Sequence, residues 1–221
     1  MSYKITLRKI ELVTHDVLRL VTDKPQGYTF TPGQATELAI DKKGYKNEKR
    51  PFTFTSLPDE NELEFTIKMY PSHDGVTDEL GTLKVGDELI IGDAWGAINY
   101  KGPGTFIAGG AGVTPFIAIL KNLKMKGGIE KNKLILSNKT EKDIIYKANL
   151  ESWLGDNVSF ILSDEKTKEY DHGHVDKEYL NTKNIDVSKY VYVCGPPPMM
   201  DAVTADLYAL GLPKSHLITE E

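Results

Sequence analysis

Three groups of residues carry the chemistry open to this sequence. The first, Gly110-Ala111-Gly112-Val113-Thr114-Pro115, follows a buried-type strand pattern at Thr105–Ala108 and opens a helical one. Glycines in that context let a backbone approach a pyrophosphate, and a helix N-terminus adds N–H donors and partial positive charge. Pro115 suits a first helical turn, where no donor is required. An ordinary tight βα turn accounts for the same residues. The second group is Arg50-Pro51-Phe52-Thr53-Phe54-Thr55-Ser56. An arginine can grip a phosphate through paired hydrogen bonds. Phe52, two residues on and on the same strand face, could set a flat ring beside it, and Thr53 adds a hydroxyl. A surface arginine flanking a core strand is the plainer alternative. The third group, Val193-Cys194-Gly195-Pro196-Pro197-Pro198-Met199-Met200, puts a thiol at the carboxyl end of a strand. Open α/β sheets bind ligands there, although the commoner fate of a lone cysteine is to fill space as a small hydrophobe.

The elements that must position these groups differ between the two halves of the chain. From Tyr3 to about Lys101 the pattern is short strands broken by turn residues: Lys4–Ile10, Asp16–Val21, Ala35–Ile40, Phe52–Thr55, Leu63–Met69 and Glu88–Ile91. At least six strands at this spacing predict a small antiparallel barrel or sandwich. A short helix is expected at Thr77–Leu83, with free backbone N–H groups at its start, Asp74-Gly75-Val76-Thr77. After Gly104 the period changes. Strands at Thr105–Ala108, Lys133–Ser137, Val158–Leu162, Tyr190–Cys194 and His216–Thr219 alternate with helices at Thr114–Lys126, Asp143–Leu154, Asp176–Leu180 and Pro197–Leu210. Alternation of this kind implies a parallel sheet covered by helices on both faces. The expected architecture is two domains, an antiparallel β-barrel over 1–101 and a Rossmann-like α/β domain over 102–221, joined at Lys101-Gly102-Pro103-Gly104.

Composition excludes several classes. The 221 residues carry 27 Lys+Arg against 32 Asp+Glu, a net charge of −5, which argues against a nucleic-acid partner because phosphate neutralisation needs a basic face. Cys194 is the only cysteine, so an internal disulfide, a cysteine-ligated iron–sulfur cluster and a Cys-rich zinc site are ruled out. No signal-peptide pattern and no apolar run long enough for a bilayer are visible, and a cytoplasmic protein is expected. Asp171-His172-Gly173-His174 reads as a solvated loop, so no metal site is expected, and His15, His73 and His216 are isolated.

Taken together and in this order, the three groups resemble the ferredoxin–NADP⁺ reductase-like flavoproteins over nearly the whole chain, an FAD-binding barrel followed by a nicotinamide-binding domain. Pro32-Gly33-Gln34 matches the turn before a flavin-domain strand, and Arg50-Pro51-Phe52-Thr53 the Arg-x-aromatic-Ser/Thr signature. The resemblance implies that Arg50 binds the FAD pyrophosphate, Phe52 packs on the isoalloxazine and Thr53 lies near flavin N5. Ile67-Lys68-Met69 and Gly75-Val76-Thr77 match segments that line the flavin and hold its pyrophosphate through backbone groups. Gly110, Ala111, Gly112, Val113, Thr114 and Pro115 match the nicotinamide-dinucleotide loop. Cys194-Gly195-Pro196 with Met199 matches the motif whose cysteine lies near the reacting nicotinamide carbon.

Two stretches, Ser137-Asn138-Lys139-Thr140-Glu141-Lys142-Asp143-Ile144 and the Cys194 motif, are most similar to the NADH–cytochrome-b reductase branch. No acid ends the second strand to hold a ribose diol. Asp164, after the third, matches an acid that disfavours a 2′-phosphate, while the Lys139 ammonium would attract one; NADH is favoured slightly over NADPH. Family members commonly end in an acid followed by an aromatic. Here Glu220 matches the acid but only Glu221 follows, so a more exposed or more weakly held flavin is expected. The implied activity is hydride transfer from NAD(P)H to FAD, tuned by Thr53, Cys194 and Glu220, with electrons passed to a separate carrier such as a flavodoxin, a ferredoxin or an oxygenase component. Two other readings stay open: a flavin reductase with dissociable flavin, and a redox-silent nucleotide-binding subunit.

Overall fold

A computed structural model describes residues 1–70 and 75–220 of the chain. His73, Asp74 and Glu221 lie outside the described residues. Six strands build the first sheet: β1 (Tyr3–Thr14), β2 (Val17–Asp23), β3 (Ala35–Ile40), β4 (Arg50–Thr53), β5 (Glu62–Lys68) and β6 (Glu88–Ile91). They are antiparallel in the order β4-β3-β6-β1-β2-β5. β1 serves two neighbours, pairing β6 through Tyr3–Thr6 and β2 from Leu7 onward, with register shifts at Leu7/Lys9 and Leu12/Thr14 that bend it around the core. The sheet closes on itself where Phe54 bridges Phe65 and the Thr55 N–H donates to Glu64 O at 2.8 Å. Strict alternation sets the faces. Leu63, Phe65 and Ile67 of β5 point into a core that includes Leu20, Leu38 and the stacked pair Phe30–Phe54, 4.2 Å between centroids. Helix α1 (Val76–Leu80) follows β5 and seats Val76 and Leu80 in the same core.

The second sheet comprises β7 (Gly104–Gly109), β8 (Lys133–Asn138), β9 (Val158–Leu162), β10 (Asp171–His172), β11 (Tyr190–Cys194) and β12 (Leu217–Thr219). All neighbours are parallel, in the order β10-β9-β8-β7-β11-β12. The chain runs outward from β7 to β10, then returns to the other side of β7, so the order reverses between β7 and β11. Both faces are apolar, as a doubly covered parallel sheet demands. Phe106, Leu134, Leu136 and Tyr192 pack under α2 (Thr114–Lys126) and α3 (Lys147–Leu154). Ile107, Ile135, Val191 and Val193 pack with α4 (Lys177–Thr182) and α5 (Pro197–Ala209).

Differences from expectation are local. The helix expected from Asp143 starts at Lys147: Glu141–Asp143 is a 3₁₀ turn closed by a Thr140–Asp143 capping box, and Tyr146 sits in the left-handed region at φ 53, ψ 34. The two-residue β10 is too short to leave a sequence period. The terminal strand begins at Leu217, because Lys214–His216 forms a 3₁₀ turn. No helix among the described residues is long and apolar enough to cross a membrane.

Candidate active site

The reversal between β7 and β11 makes a crevice at the carboxyl ends of both strands, the place where open α/β sheets take ligands. Two loops meet there backbone to backbone. A Cβ on Gly109 would stand 2.4 Å from Met199 Sδ and 2.9 Å from Pro196 Cδ, and one on Gly112 would stand 2.3 Å from Cys194 O. These two glycines therefore serve a packing need that the sequence pattern alone, read as phosphate binding, does not separate out. Gly110, at φ 52 and with open space where a Cβ would be, keeps the face available to a ligand. Gly110–Val113 is a 3₁₀ turn that runs directly into α2, with Val113 and Thr114 buried, so this turn offers backbone groups rather than side chains.

Cys194 ends β11, buried at 5% exposure. Because β12 lies beside β11 with Val193 opposite Thr219, the next residue, Glu220, is brought alongside. Glu220 is exposed as a residue, yet its carboxyl stands near enough to the Cys194 thiol to act on it electrostatically. Burial, then the Glu220 charge, pushes the thiol far above its usual range, and burial also raises the Glu220 carboxyl. A thiol so placed stays protonated and acts as a donor, not as a nucleophile.

Helix α5 starts right after this thiol with Pro197 and Pro198 in its first turn, and the amides of Met199 and Met200 both donate to Pro196 O. On the opposite side of β7, Asn138 ends β8. It is buried at 6% exposure, and neither its amide oxygen nor its amide nitrogen has a partner among the described residues. A buried amide without partners is costly unless a ligand satisfies it. Lys139 and Asp164 are exposed and adjacent, the Asp164 N–H donating to Lys139 O at 2.9 Å.

On the barrel, Thr53 closes β4 opposite Ala35 and is buried at 8% exposure. Phe52 is half-buried against the barrel core. Arg50 is half exposed and, among the described residues, held by Lys49 O at 2.7 Å and by a 3.6 Å approach to Glu48, a surface setting from which its guanidinium can turn toward an anion. Pro51, beside it, is exposed. Ile67 and Val76 are core residues and can contribute backbone only. Lys68 pairs with Asp16 at 2.8 Å. Gly75 caps α1 and has no side chain to accept from the first amides of that turn, Val76 and Thr77.

Sequence reasoning missed a cleft of about 680 Å³ between the β1–β2 turn and the arm after β8, lined by Val13, Thr14, Thr140, Glu141, Lys147 and Glu165. Its volume suits a small-molecule ligand. Lys147 pairs with Glu141 at 3.0 Å, stands 4.8 Å from the Tyr170 ring centroid and is driven up in pKa by Tyr170 and Glu141. The T-x-x-D spacing of the capping box was the one visible signal that the chain turns sharply there. Nearby, ligand atoms of His15, Asp16 and Asp143 lie within 4.8 Å of one another, but the Lys68 ammonium already holds Asp16 and Thr140 holds Asp143, which fits salt bridging better than a metal.

Residues 2–86 match the family model of an FAD-binding domain, and residues 106–205 that of an oxidoreductase NAD-binding domain. NADH–cytochrome b5 reductase 1 of Arabidopsis thaliana is 32% identical over 93% of this chain and 79% of its own length. The chain belongs to the ferredoxin–NADP⁺ reductase-like flavoprotein family. The reductase component of propane 2-monooxygenase from Rhodococcus jostii is 30% identical over 96% of the chain. The chain spans 61% of that relative's length. A crystal structure of a ferredoxin NADP⁺ reductase from Neisseria gonorrhoeae with bound FAD and NADP superposes with a TM-score of 0.85 at 17% identity, covering 99% of this chain and 98% of that one. The order of the two parts of this chain, antiparallel barrel first and α/β sheet second, is that of the two matched family models.

Proposed function

We propose that this chain is an FAD-dependent NAD(P)H reductase that delivers electrons to a separate one-electron carrier in the cytoplasm. The observation that carries the reading is the crevice itself: the Gly109–Gly112 turn locked against Cys194-Gly195, with the unpartnered Asn138 amide beside it and the Arg50–Thr53 strand on the barrel. FAD, when bound, supplies the acceptor for a hydride and the donor of single electrons.

The residues bind and orient. Arg50, with the first amides of α1, would hold the pyrophosphate, while Phe52 and Thr53 would border the ring system and Lys68 and Met69 line it. The backbone of Gly110–Pro115 would take the dinucleotide's phosphates, and Gly195, Pro196 and Met199 would wall the nicotinamide. The protonated Cys194 thiol, beside the Glu220 carboxyl, would offer the nicotinamide a neutral side chain. Nothing in this scheme needs a perturbed general base.

The −5 net charge excludes a nucleic-acid role without selecting a carrier. The Rhodococcus relative's name as the reductase component of a propane monooxygenase supports an oxygenase component or its ferredoxin as acceptor, with flavodoxin the alternative. Asp164 supports NADH over NADPH. The test is anaerobic addition of each nucleotide to the FAD-loaded protein, followed at the flavin's visible band. Bleaching by NADH is expected, and its absence with both nucleotides would remove the reading. Asp164→Ala should shift kcat/KM toward NADPH; an unchanged ratio would clear Asp164 of that role.

A further inference from the structure

The barrel and the α/β part meet where Val13 of β1 and Val17 join the apolar cluster that includes Ile117 of α2, where Gly33 approaches Ile119, and where Thr66 of β5 faces Tyr146. Apolar packing of this kind is non-directional and does not fix how one part is set against the other. Lys121 pairs with Glu60 across the seam at 2.6 Å, but both are long side chains in contact with solvent. His15 approaches Asp143 only at 3.7 Å.

Tyr146 makes a stiffer tie. Its backbone is left-handed, a conformation that a bulky residue keeps only when its surroundings demand it. Its carbonyl accepts the Leu150 N–H at 3.0 Å, starting α3. Its phenol crosses the seam to Thr66 Oγ1 of β5 at 3.2 Å. Thr66 Oγ1 lies 3.2 Å from Thr55 Oγ1, and Thr55 Oγ1 donates to Glu64 Oε1 at 2.9 Å. Glu64 is in turn held by Arg19, which also grips Glu11.

The carboxylate at the end of this line can only accept, so each hydroxyl must donate in the same sense, from Tyr146 to Thr66 to Thr55 to Glu64. Both threonines are buried, at 5% and 0% exposure, and short, so little rotamer freedom is lost in making the chain. Burial, with Glu64 nearby, pushes the Tyr146 phenol up to about 12, which keeps it a donor.

The ends of the chain matter. Thr55 is two residues from Thr53, Thr66 is two from Lys68, and Tyr146 closes the arm that leaves β8 at Asn138 and Lys139. We propose that Tyr146 is a positioning residue, which sets the arm carrying the nucleotide-side residues against the strands carrying the flavin-side residues and so fixes the approach of nicotinamide to flavin. This rests on the reductase reading above.

The test is rapid-mixing flavin reduction with NADH in Tyr146→Phe, Thr66→Val and the double variant, using FAD-loaded protein. Tyr146→Phe keeps the ring and its packing. Its limiting reduction rate should fall about tenfold, on the scale expected for sub-ångström misplacement, with half-saturating NADH and FAD content unchanged. The primary isotope effect with NADH deuterated at the transferred position should rise. Thr66→Val should give a similar loss, and the double variant no more than either single one, because both cut the same chain. Unchanged rate and isotope effect in Tyr146→Phe, or losses that multiply in the double variant, would overturn the inference while leaving the reductase reading intact. A native protein that neither NADH nor NADPH bleaches would overturn both.

Discussion

Gly112→Ala is the sharpest perturbation this structure offers, because one added methyl group meets backbone and not a yielding side chain. The new Cβ would lie 2.3 Å from Cys194 O, 2.6 Å from Cys194 C and 2.7 Å from Gly195 Cα. Relief to an ordinary contact of 3.4 Å requires a movement of about 1.1 Å between the two loops, 3.4 less 2.3. Neither can give alone: β7 and β11 are adjacent buried strands, and Cys194 pairs with Ala108 in their ladder. Overpacking of this kind costs about 1–3 kcal/mol of stability. A displacement near 1 Å at a reacting centre costs about 100-fold in rate. The comparison is Gly110→Ala, which meets no atom within 4 Å and carries only the strain of φ +52, about 1–2 kcal/mol. Thermal unfolding and the limiting rate of flavin reduction by NADH should be measured on both. The expected pattern is comparable destabilisation in the two variants, a higher half-saturating NADH concentration in Gly110→Ala, whose methyl group would enter the ligand-facing space, and a large loss of limiting rate in Gly112→Ala alone. Wild-type reduction by Gly112→Ala would refute the claim that the apposition of the two loops shapes the site.

Three other outcomes are expected. Arg50→Ala should weaken FAD retention by about 1.5–3 kcal/mol, the worth of a charge-assisted hydrogen bond, and full occupancy after gel filtration would contradict the role given to Arg50. Cys194 should resist iodoacetamide at pH 8 in the folded protein and react readily after unfolding, since burial and Glu220 hold its thiol protonated; rapid labelling of the native protein would show the thiol to be accessible. Asp41, held down to about 2 by Lys4 and Lys46, should contribute stability that is present above the usual aspartate range near 4 and lost as pH falls toward 2. Asp41→Asn should flatten that acid limb in pH-dependent unfolding, and an unchanged limb would assign the acid sensitivity elsewhere.

Much of this arrangement is legible before folding because it is written in local periods. The switch from period two in Leu63–Lys68 to helical spacing in Thr114–Lys126 separates the barrel from the α/β sheet, and the strand–glycine–helix order at Thr105–Pro115 marks the crevice. What stays hidden is non-local. The pairing of Glu220 with Cys194 depends on β12 docking beside β11, and nothing near either residue signals it. Tyr146 reads as a residue inside a helix, and nothing in the local spacing signals its left-handed backbone or its contact with Thr66 across the seam. The double use of the glycines, two for packing and one facing outward, also depends on a loop more than eighty residues away.

The three consecutive prolines after Gly195 have a consequence for charge. No backbone N–H exists at Pro196, Pro197 or Pro198, and those of Met199 and Met200 are spent on the carbonyl of Pro196. Helix α5 therefore points a donor-free end at the crevice, whereas every residue from Gly110 to Val113 ahead of α2 carries an amide proton, that of Thr114 being spent on Ala111 O. Two helices start beside the same cleft, and only one has amides to give an anion. An anion would therefore find backbone donors on the α2 side, and on the Cys194 side only a proline-capped helix and the Glu220 carboxyl, so amino-acid type and one acid favour the same side of the cleft.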